Sequence, residues 1–288
     1  MTAAMRQWLR GVPSASAEEV AIYRAAHQVL DAPLIFVDPL ALSVIGREAR
    51  EALTAQPPGL RIDAQIRAFI ALRSHVAEHE LASAVRAGVA QYVIVGAGLD
   101  TFAYRNPYAG RVRVFEVDQP AMQKWKRGWL ADAGITTPES VAFVALDLRG
   151  QTLAAALSAA GFRAERPAFF AMLGVVIYLA KPTLMSILTF VASLPGRSGI
   201  VFDYGVPDLS LSANQRAVRE AAAQVAANAG EPFVTFLDPS ELAQEARRLG
   251  FNEVDDFGYA EGNLRYFNAR EDGLRLGASG RRIVALRR

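Results

Sequence analysis

At 288 residues, 52% hydrophobic and 21% charged, the chain is long and apolar enough to bury a large core, which excludes a disordered protein. Its 31 basic and 29 acidic residues leave a formal charge of +2 with no long basic run, so no nucleic-acid track is expected. The absence of cysteine removes disulfides, thiolate metal sites and a cysteine nucleophile together.

In chain order, the first ninety residues read as mostly helical. Ser16-Ala-Glu-Glu19 has the form of a capping box ahead of a helix over Val20 to Leu30, which Pro33 stops. Asp38-Pro39 opens a short helix over Leu40 to Ile45, and Gln56-Pro-Pro-Gly59 is a loop. Arg61 to Ala87 is long, Ala-rich and periodic, and ends before Gly88. The histidines, His27, His75 and His79, carry no metal spacing and read as solvated helix-face residues, so no metal site is expected.

From Gln91 onward strands alternate with helices. Strands are predicted at 92–95, 112–117, 141–146, 168–173, 199–204, 253–259 and 282–287. Helices fall near 101–105, 120–133, 151–160, 182–194, 213–229 and 239–249, the last with Asp238 as N-cap, Pro239 at its first position and Gly250 as its stop. This order implies a mostly parallel sheet covered on both faces, closed by an antiparallel edge from the last two strands. The division expected is a helical cap over 1–90 and an α/β core over 91–288, with an inserted lid at about 205–236. The longest apolar run, Ala168 to Ala180, is shorter than the ~18 residues of a spanning helix. With no apolar segment of signal-peptide length before the first prolines, a cytoplasmic protein without a membrane partner is expected.

The chemistry concentrates in Tyr92-Val-Ile-Val-Gly-Ala-Gly-Leu-Asp-Thr101: a buried strand, a glycine turn, and Asp100 or Thr101 to cap the helix start behind it. Gly96, Ala97 and Gly98 would let backbone approach a ligand closely. Twenty residues after Gly98, a second apolar strand ends in Asp118, with Glu116 two residues earlier on the same face. A glycine turn succeeded by an acid is how open α/β sheets hold a ribose-bearing cofactor. Thr101 takes the place of a dinucleotide fingerprint's third glycine, and Asp100 would stand beside a pyrophosphate. S-adenosyl-L-methionine, whose methionine part bears an ammonium, therefore fits better than NAD.

With these motifs in place, the chain resembles the leucine carboxyl methyltransferase-like family of S-adenosylmethionine-dependent O-methyltransferases. The matching segments are Arg24-Ala-Ala-His27, Phe36-Val-Asp-Pro-Leu-Ala41, Arg73-Ser74, Gly96-Ala-Gly-Leu-Asp-Thr101 with Tyr104-Arg105, Phe115-Glu-Val-Asp-Gln-Pro120, Asp147-Leu148, Leu173-Gly-Val with Tyr178-Leu179, and Tyr266-Phe267. The resemblance implies a Rossmann-like class I methyltransferase with a seven-stranded sheet. It implies further that Arg73 meets the cofactor's methionine carboxylate, Asp118 (with Glu116 as competitor) the ribose hydroxyls, and Asp147 and Leu148 the adenine. Leu173 stands where many members carry Glu, so one anionic contact is missing, leaving backbone carbonyls and Asp100 as candidates for the ammonium. No persuasive general base is visible, and Tyr178 and Tyr204 read as orienting groups. This favours a carboxylate acceptor over a hydroxyl, on a small molecule or peptide, because a carboxylate is already an anion. A nicotinamide-linked oxidoreductase and a non-catalytic binding protein are the alternatives.

Overall fold

The computed structural model describes residues 14–57, 60–148 and 150–288. The first helix among the described residues, α1 (Ala15–Leu30), starts earlier than the sequence suggests. Ser14 is the N-cap, accepting from the Ala17 amide at 3.2 Å, so Ser16 lies inside the first turn and opens no capping box. No helix forms over 40–45. Asp38 takes the Leu40 amide (3.1 Å) into a local side-chain turn, and the chain turns helical only after Gly46, in the unforeseen α2 (Arg47–Ala55). Gln56 ends α2 in a left-handed conformation, while Pro58 and Gly59 of the expected loop lie outside the described residues. Asp63 caps α3 (Ala64–Arg86) by accepting from the Gln65 and Ile66 amides at 2.8 and 3.0 Å, which sets that helix's start.

The alternating part contains β1 (Gln91–Val95), β2 (Arg113–Asp118), α4 (Pro120–Asp132), β3 (Val141–Ala145), α5 (Leu153–Ala159), β4 (Phe169–Met172), α6 (Lys181–Ser193), β5 (Gly199–Gly205), α7 (Ala213–Asn228), α8 (Pro239–Leu249), β6 (Glu253–Phe257), α9 (Tyr259–Gly262) and β7 (Arg281–Arg287). The strands form one sheet in the order β3-β2-β1-β4-β5-β7-β6. All pairings from β3 to β5 are parallel, and β7 runs antiparallel to both β5 and β6. The antiparallel strand is thus interior, and β6 forms the edge. Order reverses between β1 and β4, which opens a crevice at their carboxyl ends. The helix expected near 101–105 is a single 3-10 turn, Phe102–Tyr104. Asp100 and Asn106 bracket it, each taking a backbone amide two residues on (Phe102 and Tyr108, 2.8 Å each).

Strand alternation divides the core. Val93, Val95, Phe115, Val117, Phe170 and Phe202 face the layer of α5, α6 and α8, through Leu157, Leu188 and Ala246. Tyr92, Ile94, Val114, Phe169, Val201, Ile283 and Ala285 face α3, through Phe69, Leu72 and Val76. A third cluster joins α1 to α2 and reaches Ile70 and Leu99, so the N-terminal helices sit against the glycine turn. Among the described residues no helix is long and apolar enough to cross a membrane.

Candidate active site at the carboxyl edge

The glycine turn is shaped by two positive backbone angles, φ +68° at Gly96 and +43° at Gly98. A Cβ on Gly96 would overlap Val175 Cγ2, so any other residue there would displace the segment after β4. The Gly96 and Ala97 amides both donate to the Val117 carbonyl, at 2.8 and 3.1 Å, pulling the turn onto the end of β2. Asp118 completes the join: its carboxylate accepts from the Gly98 amide (2.6 Å) and the Gln119 amide (2.7 Å). Burial pushes the Asp118 carboxyl above its ordinary range, and the two amides oppose that shift. Each carboxylate oxygen retains acceptor capacity after one such bond.

Glu116 is differently disposed. It is buried, paired with Lys126 on α4 at 2.8 Å, and accepts the Tyr104 hydroxyl at 3.0 Å. Burial raises its carboxyl while Lys126 works against the rise. Its oxygens are thus already engaged inside the protein, and only Asp118 of the two ends its strand at the crevice.

Arg73 lies in α3, buried, with its guanidinium 3.3 Å from Asp203 of β5. Asp203 also accepts the Gly174 amide at 2.6 Å. Gly174 has φ +73°, and a Cβ there would come to 3.0 Å of both terminal nitrogens of Arg73, so glycine is what lets the guanidinium lie against this turn. Burial lowers the Arg73 pKa and Asp203 restores part of it. Leu173, just before, is half-buried against the α3-side core.

Three further predicted residues, Asp147, Leu148 and Tyr178, lie near this edge. The Asp147 carbonyl accepts the Gly150 and Gln151 amides (3.1 and 3.2 Å) in the turn after β3, and Thr152 is the N-cap of α5. Leu148 is half-buried against the core on the α5 side. Tyr178 comes after β4, with its ring 5.7 Å from Phe233. Burial raises its pKa, and the charges of Arg73 and Arg281 reach it.

Tyr204 does not join this group. Strand alternation turns it to the face opposite Arg73 and Asp203, where its hydroxyl donates to Asp256 at 2.5 Å. The histidine reading changes as well. His27 is fully buried: its Nε2 accepts the Ile35 and Phe36 amides (3.2 and 3.3 Å), so Nδ1 carries the proton donated to Asp31 at 2.7 Å. His75 is half-buried, with Tyr266 edge-on at 5.8 Å, and His79 alone of the three is exposed.

Several acids take roles that the motifs alone do not assign. Asp203 is a single acid in an apolar strand, and that anomaly is its only signal. Asp38 is buried between Arg24 (2.9 Å) and Arg105 (3.2 Å) and accepts the Thr101 hydroxyl at 2.7 Å. Arg24 also donates to the Leu99 carbonyl, and Arg105 to Glu78 at 2.9 Å, so the glycine turn is bolted to α1 and α3. Thr101 thus serves this network, and Asp100 alone caps the 3-10 turn. Glu18 of α1 is 3% exposed, and its Oε2 has no hydrogen-bond partner among the described residues. Burial raises its carboxyl to about 7.

The chain is similar to several known proteins. The family profile described as leucine carboxyl methyltransferase matches residues 17–192. YktD of Bacillus subtilis (strain 168), assigned as an S-adenosyl-L-methionine-dependent methyltransferase, is 31% identical over 278 residues, covering 88% of this chain and 91% of its own. A Rhodococcus jostii (strain RHA1) protein with the same assignment is 40% identical over 122 residues, 42% of this chain and 41% of its own length. Among solved structures, one assigned as a methyltransferase from Thermobifida fusca YX superposes with a TM-score of 0.57 at 21% identity, covering 93% of this chain and 94% of that one. A DUF574 family protein from Streptomyces avermitilis MA-4680 gives 0.55 at 20% identity, covering 95% and 97%. These two establish the Rossmann-like fold.

Proposed function

The chain belongs to the leucine carboxyl methyltransferase family of S-adenosyl-L-methionine-dependent methyltransferases, and we propose that it methylates a carboxylate or hydroxyl oxygen of a small molecule or peptide. The observation that carries this reading is the meeting of a positive-φ glycine turn, the strand-end Asp118 and the buried Arg73 along one crevice. These residues fit the cofactor. The turn at Gly96 to Gly98 leaves room for a backbone-close ligand, Asp118 offers anionic acceptors to ribose hydroxyls, and the Arg73 fork suits a carboxylate. Asp147 and the Leu148 amide stand for the adenine.

S-adenosyl-L-methionine supplies a methyl group on a sulfonium, open to in-line displacement. The chain's own task is to align the acceptor and exclude water. Tyr178, beside the Arg73 turn, is the orienting group in this reading, and Tyr204 supports the sheet instead. The segment over 205–236 serves as the lid: its return donates the Val234 amide to the Ile177 carbonyl at 2.8 Å and the Leu237 amide to Gly205 at 2.9 Å. A carboxylate acceptor is favoured because it is already an anion and needs no general base to become a nucleophile. The test is release of labelled methyl to matched acceptors, an acid and the corresponding alcohol. Transfer to the acid, as a base-labile ester, is expected; transfer to neither by protein that binds the cofactor would replace this reading with a non-catalytic one.

A further inference from the structure

Arg281 opens β7 directly opposite Gly205 of β5, one pleat beyond the Asp203–Ile283 pair. Residues opposite one another in an antiparallel pair share a face, so Arg281 stands on the α3 side at the carboxyl edge of β5. Its guanidinium lies over the Phe69 ring at 5.5 Å, and its charge reaches Arg73, Tyr178 and Tyr23. The Phe236 ring packs where a Gly205 side chain would stand, and Phe233 backs Tyr178.

The neighbouring arginines are all matched. Arg73 has Asp203, Arg67 has Asp31, Arg24 and Arg105 share Asp38, and Arg282 has Asp256. The half-buried Arg281 side chain has neither an ion pair nor a hydrogen bond among the described residues. A half-buried guanidinium with no protein counter-charge keeps its donors free for an anionic ligand. The cofactor does not supply that anion, because in this reading its carboxylate is met by Arg73.

We infer that Arg281 is an anion-docking residue for the methyl acceptor, which therefore carries a carboxylate or like oxyanion beside an apolar, aromatic-compatible body. The inference rests on the methyltransferase reading and names the acceptor's chemistry at that site.

The experiment uses the full chain saturated with S-adenosylhomocysteine and two probes of equal shape, phenylacetate and phenylacetamide, titrated by calorimetry. Phenylacetate should bind at least about tenfold tighter, as a charge-assisted fork requires. Arg281→Gln should bring the two probes within about threefold of one another, and Arg281→Lys should keep part of the preference. Both variants should hold the parent's thermal midpoint and S-adenosylhomocysteine affinity. Equal binding of the probes, binding of neither, or a preference that survives Arg281→Gln overturns the inference. So does an equal loss of S-adenosylhomocysteine binding, which would make Arg281 a cofactor residue. If the parent chain fails to bind S-adenosylhomocysteine, the methyltransferase reading itself falls, a separate outcome.

Discussion

Asp118 and Glu116 sit two residues apart on one strand face, yet their surroundings assign them different work. Asp118 is held at the strand end by two backbone amides, while Glu116 neutralises buried Lys126. Asp118→Ala should weaken S-adenosylhomocysteine binding by about 1.5–3 kcal/mol, the worth of hydrogen bonds to a charged group. Glu116→Ala should instead cost about 3–5 kcal/mol of stability, because it strands a buried ammonium. Calorimetry and denaturant melts on both variants separate the two effects, and the reverse pattern would exchange the roles. Arg73→Lys keeps the charge and loses the fork, so S-adenosylhomocysteine should bind about tenfold or more weakly while adenosine, lacking a carboxylate, is nearly unchanged. Equal weakening of both ligands would reduce Arg73 to a support of the Gly174 turn.

At this scale the acid closing β2 was legible, because a charge ending an apolar strand beside a glycine turn is costly unless amides or a ligand meet it. Asp203 was not, since its meaning depends on α3 bringing Arg73 to it from 130 positions away. Tyr204 was misjudged for the same reason: alternation separates it from Asp203, but only the placement of α3 shows which face holds the crevice.

Among the elements, helices with strong caps were the most readable. Asp238, Pro239 and Gly250 bound α8 where expected, with Asp238 accepting from the Ser240 and Glu241 amides at 2.9 and 3.1 Å. Helices in the N-terminal region were less so, because Ser14 and Ser16 are equally good caps on paper and Asp38 diverts the chain into a turn. α1 also carries a titration built into its burial. Glu18 rises from 4.5 to about 7, so between those values the folded chain holds a proton that the unfolded chain has released. Stability therefore falls as pH climbs through that window and levels off above it. Glu18→Gln abolishes this proton uptake. The variant's thermal midpoint should gain on the parent's progressively from pH 4.5 to 7 and hold a constant lead beyond. Parallel curves across that range would show that Glu18 is already solvated or paired.

For the whole molecule, the alternation of strands and helices announced an α/β sheet, and the structure supplies the order that periodicity cannot. The reversal between β1 and β4 makes the crevice, and β7 inserts between β5 and β6 because its apolar centre, Ile283 to Leu286, is buried on both faces. That topology, the family membership and the glycine turn converge on one claim: the crevice holds S-adenosyl-L-methionine. The most direct test is a thermal melt with S-adenosylhomocysteine and, separately, NAD. A ligand at ~100 times its dissociation constant adds ~2.7 kcal/mol to a protein that binds it only when folded. For a chain of this size that is a rise of about 5 °C. That rise is expected with S-adenosylhomocysteine and absent with NAD; a rise with NAD alone would contradict the claim.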